Sequence, residues 1–164
     1  MIDIRPLTSE SHVDRADALR IFMEAPSYVE LHESRSPSEA DVDDLFFGAP
    51  PKTDISQKSV FGCYVGPDMV GCIDLIRSYP TSDCAWIGLL LFSELHRNRG
   101  YGKAALASVM ALALEWDCSR IQLATLSTNL RGIAFWQREG FTELRRAHNP
   151  RFPAELIVME RRIR

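Results

Sequence analysis

Apolar residues along the chain alternate between two spacings, one suited to helices and one to strands. Ile2, Ile4 and Leu7 suggest a short opening strand. Over residues 9 to about 23 the apolar positions are Val13, Ala16, Leu19 (or Ala18) and Phe22, close to helical spacing. Ser36-Pro37-Ser38-Glu39 reads as a second helix start, with Ser36 as N-cap, Pro37 in the first turn and Glu39 closing a capping box. That helix directs Val42, Leu45 and Phe46 inward and stops at Pro50-Pro51. Residues 28–34, between the two helices, are polar and aromatic and show no period.

Strand-like patterns follow. Residues 58–65 and 69–77 predict two strands joined by the turn Gly66-Pro67-Asp68. After the break at 79–83, residues 84–92 are apolar at nearly every position, as a strand covered on both faces should be. A polar, glycine-containing tract then leads into a helix reaching about Asp117. Residues 121–126 predict another strand, and Asn129 caps a helix that ends at Gly140. Residues 141–146 and 156–161 supply the last two strands. With no repeat and no linker, residues 1–164 read as one α/β domain built on a mixed sheet.

Composition narrows the class of protein. A chain of 164 residues, 46% hydrophobic and 25% charged, builds its own core as a soluble globular domain. Nineteen Lys+Arg against 22 Asp+Glu give a net charge of −3, which argues against a nucleic-acid partner. Cys63, Cys72, Cys84 and Cys118 lack metal-ligand spacing, and three of them sit in strand-like runs, so they read as buried reduced thiols without a metal. The opening residues carry no secretory pattern, and the largely apolar stretch 104–116 is too short to span a bilayer. The expectation is a cytoplasmic protein with no membrane partner.

The overall charge hides a local field of opposite sign. Residues 95–103, between the apolar strand and the long helix, hold Arg97, Arg99 and Lys103 and no acid. Gly100 and Gly102 let backbone N–H groups turn inward, and the start of the next helix adds its positive end. Together these make a phosphate or pyrophosphate site. Gly100-x-Gly102-x-x-Ala105 also satisfies the dinucleotide fingerprint, but the context differs. A long basic loop replaces the tight turn, and Ser127-Thr128-Asn129 stand where a ribose-binding acid belongs.

Arg97-x-x-Gly100-x-Gly102, set between strand and helix, resembles the acetyl-CoA pyrophosphate motif of the GCN5-related N-acetyltransferases. Residues 129–141 resemble that family's second signature: Asn129, the aromatic pair Phe135-Trp136 and the closing Gly140-Phe141. The resemblance covers almost the whole chain in element order. It implies the acyl-CoA N-acyltransferase fold, a single-domain mixed and splayed β-sheet flanked by helices, with acetyl-CoA as co-substrate. Backbone groups of Leu90, Leu91 and Phe92 would hold the pantetheine arm, with Asn129, Phe135 and Trp136 beside it. The loop Arg97, Asn98, Arg99, Gly100, Tyr101, Gly102 and Lys103 would cradle the pyrophosphate.

Two positions depart from the family pattern. Trp136 stands where many members carry a tyrosine that protonates the leaving thiolate, and Trp86 stands near the place of a glutamate base in some relatives. An indole N–H is no useful proton source. Transfer then runs on positioning and backbone electrostatics, or the acid and base have moved. Asp74, Tyr79 and Glu94 are the catalytic candidates, while His96 is placed to help bind phosphate. Tyr28, Glu30, His32, Glu33 and Trp86 would line the mouth for a small-molecule or peptide amine. The expected activity is direct acetyl transfer to a primary amine in a ternary complex. The alternatives are an acyl-CoA-binding sensor without transferase chemistry and, third, a nicotinamide oxidoreductase. A homodimer is left open.

Overall fold

Seven strands form one sheet in the computed structural model, which describes residues 1–164. They are β1 (Asp3–Pro6), β2 (Lys58–Val65), β3 (Asp68–Arg77), β4 (Cys84–Phe92), β5 (Arg120–Leu126), β6 (Thr142–Ala147) and β7 (Leu156–Arg162). The spatial order is β1-β2-β3-β4-β5-β7-β6. Every neighbouring pair is antiparallel except β4 and β5, which run parallel because a helix carries the chain from one to the other. Helices α1 (His12–Met23), α2 (Pro26–Glu33) and α3 (Glu39–Phe47) precede β2, whereas α4 (Tyr101–Glu115) and α5 (Leu130–Arg138) flank β5 in sequence. The architecture is the expected α/β fold, a mixed open sheet between helices.

Two apolar layers hold it together. Ala18, Ile21, Phe22 and Val29 of α1 and α2 join Val42, Leu45 and Phe46 of α3 on one face, over Met69, Cys72, Leu89 and Leu91. Ala105, Leu106, Val109 and Ala113 of α4 pack on the other face with Trp136, Phe141, Ile73, Leu75, Ile87, Ile121 and Leu123. All four cysteines are buried as free thiols. No helix is long and apolar enough to cross a membrane.

The first helices differ from the sequence reading in three ways. Residues 26–33 form a helix despite lacking a period. Pro26 opens it, Ser34 ends it in a left-handed conformation (φ 55°), and the Ser27 N–H finds its acceptor 67 residues away on Glu94. Ser38, not Ser36, caps α3, and Asp41 rather than Glu39 completes the capping box. Arg35 explains the choice, since it grips Asp41 through both guanidinium nitrogens at 2.8 and 3.0 Å. In α1, capped by Ser11, Val13 faces solvent while Ala18, Ile21 and Phe22 form the buried stripe.

One irregularity organises the sheet. Leu75 pairs with Ile87 and Asp74 with Leu89, so Gly88 is an extra residue, a bulge in β4. Ala85 and Ile87 face the α4 layer, and strict alternation would put Leu89 there too. The bulge resets the pleat, sending Leu89 and Leu91 to the α1–α3 layer and Leu90 and Phe92 to the α4 side. At the same place β4 and β5 part. Their pairing runs only from Cys84–Arg120 to Ile87–Leu123, although β4 stays on β3 through Phe92 and β5 stays on β7 through Leu126.

Candidate active site

The parting leaves a seam between two strands whose inner edges lack ladder partners. Ser93 donates its N–H to Val70 O at 2.9 Å, toward β3. By alternation, the N–H and C=O of Leu91 also serve β3, whereas those of Leu90 and Phe92 point into the seam. An extended, amide-bearing chain laid there would complete the sheet as an added strand. Of Leu90, Leu91 and Phe92, the first and last therefore turn their backbone groups into the seam.

Both helices that follow the parted strands start at the open end of the seam. Gly100 is the N-cap of α4 in a left-handed conformation (φ 77°), and no side chain caps the helix. The first-turn N–H groups of Tyr101, Gly102 and Lys103 thus have no partner within the helix. Asn98 is also left-handed (φ 62°). Arg99 and Lys103 are exposed beside this terminus. Arg97 is half-buried, with its guanidinium 3.9 Å from Glu94. Arg131, in the first turn of α5, adds a positive charge felt by both Arg97 and Glu94. A methyl on Gly102 would stand 3.0 Å from the Phe135 ring, so glycine lets α4 and α5 meet. Asn129 uses its carbonyl to accept from Gly132 N (3.1 Å) and its amide nitrogen to donate to Thr125 Oγ1 (3.3 Å). Trp136 turns into the core, between the rings of Phe135 and Phe141 at 4.9 and 5.2 Å. His96 Nδ1 is buried without a hydrogen-bond partner.

On the α1–α3 face, Asp74 lies against the bulge. A Cβ on Gly88 would overlap Asp74 Oδ2 and come within 3.0 Å of Cγ, so only glycine admits the carboxylate here. Oδ2 accepts from Lys58 Nζ at 2.8 Å, while the buried Oδ1 has no partner. Burial pushes the Asp74 carboxyl up to about 6; Lys58 opposes the rise and Asp44 adds to it. Tyr28 of α2 stands nearby, its phenol pushed up chiefly by burial and then by Asp44, Cys72 and Asp74. His32 stacks on Tyr28 at 4.2 Å and is pushed down by burial. Trp86 shares this face of β4, opposite Ile76, and Tyr79 packs edge-on against it at 5.3 Å.

Glu94 has another task. It accepts from the backbone and hydroxyl of Ser27, which holds its carboxyl below the usual range and ties β4's end to α2. Glu30 is exposed, and Glu33 pairs at 2.9 Å with Arg151 from the β6–β7 loop, whose neighbour Phe152 sits edge-on to His32. Sequence reasoning passed over Lys58, Gly88, Asp44, Arg131 and Arg151. Gly88 carried a usable signal, since a glycine inside an apolar strand marks a bulge or a close approach.

A model of the acetyltransferase (GNAT) family matches residues 18–141. The chain is 34% identical over 74 residues to the uncharacterised protein YdhI of Bacillus subtilis. That match takes in 45% of this chain and 43% of the relative, less than half of its length. An acetyltransferase of Thermus thermophilus has a similar solved structure, with a TM-score of 0.77 at 27% identity over 99% of this chain and 97% of that one. A GNAT family acetyltransferase from Elizabethkingia anophelis, solved with acetyl-CoA bound, shares the fold with a TM-score of 0.67 at 14% identity, covering 99% and 98% of the two chains.

Proposed function

The chain belongs to the GNAT acetyltransferase family, and on that premise we propose that it transfers acetyl from acetyl-CoA directly to a primary amine in a ternary complex. The observation that carries this is the parting of β4 and β5 at Gly88, with the uncapped start of α4 at the open end. The donor fits these residues. Leu90 and Phe92 offer edge groups to the pantetheine amides, and Phe135 flanks them. The first-turn amides of α4, with Gly100, Asn98, Arg97, Arg99 and Lys103, suit a pyrophosphate. A relative of the same fold was solved with acetyl-CoA bound, which supports acetyl-CoA as the donor. Acetyl-CoA supplies the electrophilic thioester carbonyl.

The amine approaches from the α1–α3 face, past Tyr28, His32, Tyr79 and Trp86, with Glu30 and Glu33 attracting a cation at the rim. Asp74 is the base. Its carboxylate receives the proton that the amine nitrogen sheds as the new carbon–nitrogen bond replaces the carbon–sulfur bond. A nitrogen forming that bond becomes acidic, so a carboxylate near pH 6 is strong enough. Solvent protonates the thiolate, a tolerable leaving group with an ordinary thiol pKa of about 8.5. Trp136 belongs to the core and Glu94 to the α2 junction in this reading. The buried free thiols suit a reducing cytoplasm.

Calorimetric titration of acetyl-CoA into the native protein should give micromolar-range binding, and Gly102→Trp should abolish it by filling the space before Phe135. A thiol-release screen across primary amines then identifies acceptors. No binding by the native protein overturns the reading. Binding without thiol release for any amine replaces it with an acyl-CoA sensor.

A further inference from the structure

We propose that Lys58 is a positioning residue that holds Asp74 ionised and aimed at the β4 bulge, an inference that rests on Asp74 being the base. Three adjacent strands each contribute one residue to the arrangement: Lys58 opens β2, Asp74 lies in β3 and Gly88 is the bulge of β4. Lys58 is 2% exposed and Asp74 12%, which makes this the most deeply buried ion pair in the protein. Removing two charges from water is costly, and such a pair is a weak source of stability. Its geometry is also asymmetric. The ammonium fixes Oδ2, which is also the oxygen nearest the exposed backbone of Gly88, and the buried Oδ1 is left without a partner. A pair serving packing alone would satisfy both oxygens.

Lys58 is itself held from two sides. Nζ donates to the Gly48 carbonyl, which follows the last turn of α3, as well as to Asp74. Carbonyls at a helix C-terminus carry partial negative charge and favour a cation. The ammonium is thus anchored independently of Asp74, and it restrains the rotation of Oδ2.

The groups facing Asp74 come from every element packed on it. Lys58 approaches from β2, Asp44 from α3 and the Tyr28 phenol from α2, while Cys72 precedes it on β3. Burial raises Tyr28 and Cys72, so both are neutral near pH 7. Asp44 disfavours a second negative charge. Lys58 is the one neighbour that favours the ionised carboxylate.

Carbon-13 NMR of aspartate-labelled protein reads this directly, with the Asp74 Cγ resonance assigned by its loss in Asp74→Asn. In Lys58→Gln, which keeps a donor but not the charge, the Asp74 midpoint should rise by about one pH unit or more, a tenfold gain in proton affinity. Lys58→Arg should restore it. In the native protein the Lys58 15Nζ resonance should move with the same midpoint as Asp74 Cγ, a measurement that needs no folded variant. An unchanged midpoint in folded Lys58→Gln, or unlinked native midpoints, overturns the proposal. Acetyl-CoA binding to Lys58→Gln should stay within about twofold of native because Lys58 lies off the seam. Failure of the transferase reading shows in donor binding and thiol release, whereas failure of this inference shows only in the Asp74 titration.

Discussion

Gly88→Ala tests whether the carboxylate and the bulge are as tightly fitted as the structure has them. The new methyl would overlap Asp74 Oδ2 and press to 3.0 Å from Cγ. The carboxylate has no easy retreat, since Lys58 holds it at 2.8 Å in a buried setting. Backbone strain does not contribute, because the left-handed glycines are Gly66, Gly100 and Gly140 and Gly88 is not among them. The cost is therefore steric, about 1–3 kcal/mol for overpacking. At this chain length each kcal/mol lowers the melting temperature by about 2–4 °C. In an Asp74→Ala background the obstacle is gone, and the same substitution should be neutral or stabilise by about 0.4–1 kcal/mol through the unfolded chain. Urea denaturation of the four proteins gives the coupling directly. If Gly88→Ala costs the same in both backgrounds to within about 0.5 kcal/mol, the close fit is refuted.

Trp136→Tyr should give no gain in thiol release, because the ring lies in the core rather than at the donor, and should cost about 1–3 kcal/mol in thermal melts. A severalfold faster release would instead place that side chain at the leaving group. Stability should also report Asp74. Its native carboxyl titrates near 6 and an ordinary one near 3.8, so between those values the native state binds the extra proton. This group's contribution to stability therefore rises as pH falls from about 6 to 4 and is lost as pH rises. Urea melts of native and Asp74→Asn proteins across that window should show the native chain gaining on the variant with acidification, and the opposite slope would falsify the assignment.

The strands and the two long helices were readable because each depends on a local repeat or cap. The basic loop was readable too, since glycines and arginines at a strand-to-helix junction have few other uses. What escaped the sequence depends on contacts between distant residues. Helix α2 has its first N–H satisfied by Glu94, and Ser38 wins the α3 cap because Arg35 fixes Asp41. Lys58 and Asp74 are 16 positions apart and meet only once β2 and β3 pair. Gly88 hints at a bulge in the apolar run 84–92, but its register is fixed only when Asp74 and Leu75 find Leu89 and Ile87. Trp86 and Trp136 read alike as aromatic replacements of polar residues, yet packing sends one to the α1–α3 face and the other to the core.

The seam also bears on how the molecule avoids unwanted association. Unpaired strand edges recruit strands from other molecules, and proteins usually guard them with charge, proline or a bulge. Both outer edges of this sheet are guarded in that way. β1 is short and ends in Pro6, and β6 displays Glu143, Arg145 and Arg146 around an irregularity at Leu144. Past the Gly88 bulge the inner edge of β4 carries no charge and no proline. Its protection is brevity. On the β4 side, a polypeptide strand entering there would find only Leu90 and Phe92 to bond with before reaching the contact of α4 and α5 at Gly102 and Phe135. If the pantetheine arm occupies that slot as proposed, the seam screens visitors by length and girth before chemistry begins.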